Sequence, residues 1–199
     1  MADAHDRAGL QQPRFLTSAT APRQFPAPQL PEVAFAGRSN AGKSSAINAI
    51  CARRGLARTS KTPGRTQMIN FFALSGGGLV DLPGYGYARV PPRQRAAWQR
   101  LVEAYLAGRA TLRGVVLVMD IRHPLTPFDA QLLDWGKDID FHILLTKADK
   151  ISRSAQAQTL RSVQARLPGL EVQLFSATRN LGLSQAQARL LSWYSCKCE

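Results

Sequence analysis

From Glu32 onward, short runs of β-branched and aromatic residues alternate with longer stretches whose apolar positions recur every three or four residues. The short runs are VAFAG, MINFFAL, GGLVDLPG, GVVLVMDI, FHILLTKAD and EVQLFSAT. The stretches with a helical period are KSSAINAICARR, PPRQRAAWQRLVEAYLAGR, FDAQLLDWGKD, SRSAQAQTLRSVQARL and SQAQARLLSWY. This order predicts an α/β fold, a mostly parallel six-stranded sheet with helices on both faces. GVVLVMD and FHILLT are apolar on both alternating faces, which suits central strands covered on each side. In the helix expected from Pro91, residues Ala97, Leu101, Ala104 and Tyr105 mark a core stripe with arginines outside it. Residues 1–30 lack such a pattern and hold Pro13, Pro22, Pro26 and Pro28, so they are expected to be a partly disordered lead-in. A single domain over 31–195 and a short tail over 196–199 follow from the same reading, with no internal repeat.

Charge changes the picture more than size does. The 199 residues carry 26 Lys and Arg against 13 Asp and Glu, a net charge of +13. Between Val33 and Val80 there is no acidic residue, while Arg38, Lys43, Arg53, Arg54, Arg58, Lys61 and Arg65 all fall there. A second basic run holds Arg89, Arg93, Arg95, Arg100, Arg109 and Arg113, with Glu103 alone in opposition. Clustering of one sign makes a surface field that attracts phosphate backbones, so a nucleic acid is the expected partner. No apolar run reaches the ~18 residues of a membrane helix, and Met1 to Gln12 has no hydrophobic core of a signal peptide. A cytoplasmic, monomeric protein without a membrane partner is expected. Cys51, Cys196 and Cys198 lack metal-ligand or disulfide spacing, and Cys51 is expected to be a small buried apolar side chain. His5, His123 and His142 also lack ligand spacing, and Trp98, Trp135 and Trp193 are read as core or interface aromatics.

The chemistry lies where strands end, since ligands of parallel sheets bind at the carboxyl edge. After the strand EVAFA comes GRSNAGKSS, which fits G-x-x-x-x-G-K-S/T from Gly37 to Ser44. Arg38, Ser39, Asn40 and Ala41 fill the variable positions. Gly37 and Gly42 permit a tight turn whose N–H groups face a phosphate, and a helix N-terminus adds its dipole. Lys43 is assigned to the β- and γ-phosphates and the Ser44 hydroxyl to Mg²⁺. Asp81 closes the strand GLVD and starts DLPG: its carboxylate supports the metal, Leu82 and Pro83 make the turn, and the Gly84 N–H meets the γ-phosphate. Base choice falls to TKAD, Thr146, Lys147, Ala148 and Asp149. A carboxylate there can accept both N1–H and the amine of guanine, a donor pair that adenine lacks. The Lys147 stem can lie along the base plane. Ser176, Ala177 and Thr178 follow another strand, where the Ala177 N–H can donate to guanine O6.

GRSNAGKSS, SKTPGRTQMINFF, DLPGYGYA, TKADK and FSAT, in this order and spacing, resemble the EngB family of bacterial GTPases over roughly Glu32 to Tyr194. The resemblance implies a Ras-like P-loop GTPase domain, magnesium-dependent binding of GTP and GDP, and a role in assembling the large ribosomal subunit. Normal cell division and septation come with it. It also places Thr66 as the switch threonine that closes on Mg²⁺ and the γ-phosphate, with Gly64, Arg65, Gln67 and Met68 lining the nucleotide. The metal set is then Ser44, Thr66 and Asp81, and the catalytic set Lys43, Asn40, Thr66 and Gly84.

Many GTPases place a water-orienting Gln after D-x-x-G, and Tyr85 stands there instead. Slow turnover, or help from elsewhere, is expected. Asn40 resembles the asparagine with which potassium-stimulated GTPases bind K⁺, and it equally suits a turn that an Asn side chain tolerates. Arg93, Arg95 and Arg100 are the candidates for ribosomal RNA. Two other readings stay open at this stage: an ATP-dependent kinase sharing the phosphate loop, and a nucleotide-controlled division scaffold with protein partners.

Overall fold

The computed structural model describes residues 9–57, 68–86 and 92–195. The strands are β1 (Arg14–Ala19), β2 (Glu32–Gly37), β3 (Ile69–Ala73), β4 (Gly78–Asp81), β5 (Leu112–Asp120), β6 (Phe141–Thr146) and β7 (Glu171–Leu174). The helices are α1 (Lys43–Ile50), α2 (Pro92–Gly108), α3 (Pro127–Trp135), α4 (Arg153–Arg166) and α5 (Leu183–Ser195). The strands form one sheet in the order β1-β3-β4-β2-β5-β6-β7. All pairs from β4 to β7 are parallel, while β3 runs antiparallel to both β4 and β1. The antiparallel β3–β4 hairpin explains why no helix separates MINFFAL from GGLVD.

The sheet has seven strands, not six, because the proline-rich segment supplies one. β1 lies along the free edge of β3, from Arg14 opposite Ala73 to Ala19 opposite Ile69, with a bulge between Phe15 and Thr17. An edge strand needs partners on one side only, so it can form without the alternation that a covered strand shows. Phe15 meets Phe72 edge-on at 5.7 Å, Ser18 Oγ donates to Asn70 Oδ1 at 2.6 Å, and Arg53 donates to the Pro13 carbonyl at 2.7 Å. Farther along, Phe25 packs on Phe71 and Tyr105, and Arg109 donates to the Pro26 carbonyl at 2.8 Å. Within the lead-in expected to be partly disordered, the residues that make these contacts are therefore ordered.

Alternation along the central strands builds two cores. Ala34, Ala36, Val115, Leu117 and Met119 face the side covered by α2, α3 and α4. Val33, Phe35, Val116 and Val118 face the side of α1 and α5, with Ile47, Ile50, Leu190 and Trp193. The stripe of α2 is Trp98, Leu101, Val102, Tyr105 and Leu106, all buried. Ala97 and Ala104 are exposed, which corrects the sequence expectation. Each sits one residue, about 100° of helix rotation, from the true stripe, and alanine is small enough to leave either side possible. Cys51 caps α1 and is buried, as expected, and burial pushes its thiol up to about 12.

At the amino end of β2, opposite the phosphate loop, Glu32 is buried, its side chain 8% exposed. It accepts from Arg109 through both oxygens, Nε at 2.8 Å, and from the Tyr105 hydroxyl at 3.0 Å. Arg109 also stands 5.6 Å over the Phe71 ring. This cluster ties the C-terminal end of α2 to the sheet and to the Pro26 segment.

Candidate nucleotide site

β2 delivers the phosphate loop to the carboxyl edge because Gly37 permits close approach to β5. A Cβ at Gly37 would lie 2.6 Å from the Val118 carbonyl oxygen. The loop then turns through left-handed backbone at Asn40 (φ 63°) and Gly42 (φ 101°) before α1 starts at Lys43. Asn tolerates that conformation better than most residues, so the backbone alone gives a reason for Asn40. Ser39 N–H donates to the Tyr85 carbonyl at 2.7 Å, which joins the phosphate loop to the segment after DLPG. The first turn of α1 has no acidic residue to compete with an anion.

Asp81 ends β4 level with Phe35 of β2. Its carboxylate Oδ1 forms an ion pair with Lys43 Nζ, both side chains about one-tenth exposed. The fold thus unites the phosphate-loop lysine with the carboxylate predicted from DLPG. Gly84 lies against Ser39, where a Cβ would be 3.5 Å from its N and Cα. These residues line a cavity of about 930 Å³ with Arg38, Asn40, Ser44, Met68 and Lys147. Its volume is of the size that small-molecule and cofactor sites have. Arg53 and Arg54 line it too, on a loop that Asn48 fastens through the Ala57 backbone at 2.9 and 3.2 Å. Gly64, Arg65, Thr66 and Gln67 lie outside the described residues.

TKAD stands at the end of β6. Thr146 is buried, and its hydroxyl lies within hydrogen-bond reach of the Ala41 carbonyl in the phosphate loop and, at 2.9 Å, of the Met119 carbonyl in β5. Lys147 takes left-handed backbone (φ 58°), and its ammonium donates to the Asn40 carbonyl at 2.5 Å and to Asp120 Oδ2 at 2.9 Å. Ala148 is buried and donates its N–H to the Phe175 carbonyl at 3.2 Å. Asp149 Oδ1 accepts from Ser176 Oγ at 2.6 Å, and this hydroxyl, more than the nearby Lys150, holds the carboxyl below its ordinary range. Ser176 Oγ is also 3.1 Å from Thr178 Oγ1. Paired backbone bonds between Ser176 and Leu181 close the turn that carries Ala177. The TKAD and SAT segments, distant in sequence, are thereby one hydrogen-bonded unit.

Tyr85 turns away from the cavity. Its ring packs 5.8 Å from Trp98 and 6.0 Å from Phe128, and its hydroxyl donates to Asp129 Oδ1 at 2.5 Å. Burial first, and then the Asp129 carboxylate, pushes its pKa well up. A neutral, buried phenol pinned to α3 cannot orient water in the cavity. Asp129 also caps α3 by accepting from the Thr126 N–H and hydroxyl at 2.7 and 2.8 Å. Sequence reasoning missed Asp129, although TPFD has the capping-box spacing. It missed Asp120 as well, whose only signal is the one that marked Asp81, a carboxylate closing an apolar strand.

Magnesium suits the donors present. Ser44 at the start of α1 and Asp81 at the end of β4 are hard oxygen donors, too few for a protein cage. Among the described residues no group of three His, Cys, Asp or Glu could hold a metal. Mg²⁺ typically takes one or two protein oxygens and completes its shell with water and substrate phosphates.

A glycine-rich P-loop between β2 and α1, a carboxylate at the next parallel strand end and the TKAD segment after β6 are arranged as in a P-loop GTPase fold. The model of the family described as 50S ribosome-binding GTPase matches residues 32–147. The chain is 50% identical over 202 residues to "Probable GTP-binding protein EngB" of Coxiella burnetii, covering 98% of each. It is 54% identical over 192 residues to the protein of that name from Thiobacillus denitrificans, covering 92% of each. The chain belongs to the EngB family of GTP-binding proteins. Among solved structures, one of a probable GTP-binding protein engB superposes with a TM-score of 0.67 at 20% identity, over 82% of this chain and 98% of that one. An Aquifex aeolicus Era variant bound to GDP and AlF4⁻ superposes with a TM-score of 0.68 at 18% identity, over 86% and 58%. At such identities these two likenesses concern the fold.

Proposed function

We propose that this chain binds GTP and GDP with magnesium, hydrolyses GTP slowly, and acts as a switch in assembly of the large ribosomal subunit, on which normal division and septation depend. The observation that carries the reading is the Asp149–Ser176 hydrogen bond, which joins the two base-recognition segments at the edge of the sheet that also bears the phosphate loop. Lys43 has three ammonium donors, of which the Asp81 pair uses one, so phosphate oxygens can take the others. Ser44, Asp81 and Thr66 would hold Mg²⁺, which when bound neutralises charge between the phosphates. The Gly84 N–H and the loop amides around Gly42 supply further donors for developing negative charge. Slow turnover follows from Tyr85, whose hydroxyl is committed to Asp129. Asn40 is offered as the ligand of a stimulating K⁺.

Titration with GTP, GDP, ATP and ADP, each with Mg²⁺, tests the core of this reading. Micromolar or tighter binding of the guanine pair only is expected, and equal binding of ATP would overturn it. Hydrolysis measured in K⁺ and in Na⁺ tests Asn40, where equal rates would remove the potassium part.

The ribosomal part rests on charge as well as family. Arg93, Arg95 and Arg100 are exposed on α2, within a run whose only acidic residue is Glu103. Binding to large-subunit particles should weaken as salt rises, and alanine at all three should lower the salt slope by roughly one per lost phosphate contact. An unchanged slope would move the RNA contact off this helix.

A further inference from the structure

Two neighbouring side chains at the end of β6 each bridge the end of β5 and the phosphate loop. The Thr146 hydroxyl lies between the Met119 and Ala41 carbonyls, and the Lys147 ammonium lies between the Asp120 carboxylate and the Asn40 carbonyl. Asp120 is the one charged acceptor in this arrangement. Its Oδ1 accepts from the Arg122 N–H at 3.1 Å and Nε at 2.9 Å, and its Oδ2 from Arg122 Nη2 at 2.6 Å and Lys147 Nζ at 2.9 Å. Four donors on one carboxylate fix its plane. They outweigh the burial that alone would raise its pKa, so the group is ionised and held below the ordinary carboxylate range.

We propose that Asp120 is a positioning residue for nucleotide binding, holding Lys147 against the phosphate loop so that base site and phosphate site keep one spacing. The proposal rests on the nucleotide-binding reading above. Lys147 begins from a left-handed backbone (φ 58°), which is unfavourable for a residue with a Cβ. Its long stem is otherwise free to rotate into solvent, at 30% side-chain exposure. A single neutral carbonyl, Asn40, gives the ammonium one hydrogen bond and no compensating charge. The Asp120 carboxylate supplies the charge and the second direction, so the stem spans from β6 to the loop in one conformation. Asp120 acts through Lys147. Arg122 is the outer member, 44% exposed, and orients the carboxylate without reaching the loop.

The test is a double-mutant cycle on the full chain, read as mant-GDP affinity with Mg²⁺. Asp120→Asn, which keeps size and removes charge, and Asp120→Ala should each weaken binding about tenfold, within the range of coupling between contacting residues. In a Lys147→Ala background the same changes should add less than about twofold. A merely structural role would instead give independent losses in both backgrounds and track the melting temperature of the nucleotide-free chain. Arg122→Ala keeps the backbone N–H of that residue and the Lys147 ammonium on the carboxylate, so it should weaken binding less than Asp120→Asn does. Wild-type affinity in Asp120→Asn, additive losses, or an Arg122→Ala loss equal to that of Asp120→Asn would each overturn the role of Asp120. A parent chain that binds no GDP would overturn the nucleotide reading and this proposal together.

Discussion

Asp149→Asn is expected to lower guanine-nucleotide affinity about 100-fold and to raise xanthine-nucleotide affinity by a similar factor, the upper part of the 1–3 kcal/mol that a bidentate base contact discriminates. One Asp149 oxygen accepts from Ser176, and a carboxylate retains further lone pairs on both oxygens. Those can receive guanine's N1–H and amine. A carboxamide presents one acceptor and one donor group, so its NH₂ meets the guanine amine as donor against donor and the xanthine carbonyl as donor against acceptor. The Ser176 bond makes the change a local one, since its hydroxyl can still donate to the amide oxygen. Competition of GDP and XDP for a fluorescent analogue measures the ratio. An unchanged ratio would mean that Asp149 does not face the base, and would reopen the kinase reading of the phosphate loop.

Arg109→Ala is expected to cost about 3–5 kcal/mol of stability, the range for breaking a buried ion pair from one side. Among the described residues it leaves the Glu32 carboxylate, at the amino end of β2, with the Tyr105 hydroxyl as its hydrogen-bond partner. It also frees the Pro26 carbonyl and uncovers the Phe71 ring. Urea unfolding should show a lower midpoint. Because the cluster and the phosphate loop lie at opposite ends of β2, GDP affinity of the folded protein should be unchanged. A loss below about 1 kcal/mol would mean that the carboxylate finds water, as exposed pairs do.

These two residues show how unevenly the chain could be read in advance. Asp149 could be singled out in advance because its proposed role needs only its neighbours in TKAD and a strand before them. The same holds for Gly37 to Ser44 and for Asp81, whose proposed chemistry rests on contiguous residues at a strand end. Arg109 was read only as one charge in a basic run, because its partner lies 77 residues away. Tyr85 was read as no substitute for glutamine from its residue type alone, but the direction of its ring depends on Asp129, Trp98 and Phe128.

By itself the sequence determined the order of strands and helices from Glu32 onward and marked the segments proposed to meet phosphate, metal and base. Periodicity and short motifs are local properties, and local properties survive without knowing what packs where. Only the tertiary structure decided that Arg14–Ala19 is an edge strand, since its hydrogen bonds go to β3 and its own pattern is weak. Only it decided that Asp120 belongs to the site, through a lysine 27 residues on that also holds the phosphate loop 107 residues back. The physical reason is common to both: a hydrogen bond's energy depends on where its partner sits in space, and separation along the chain carries no trace of that.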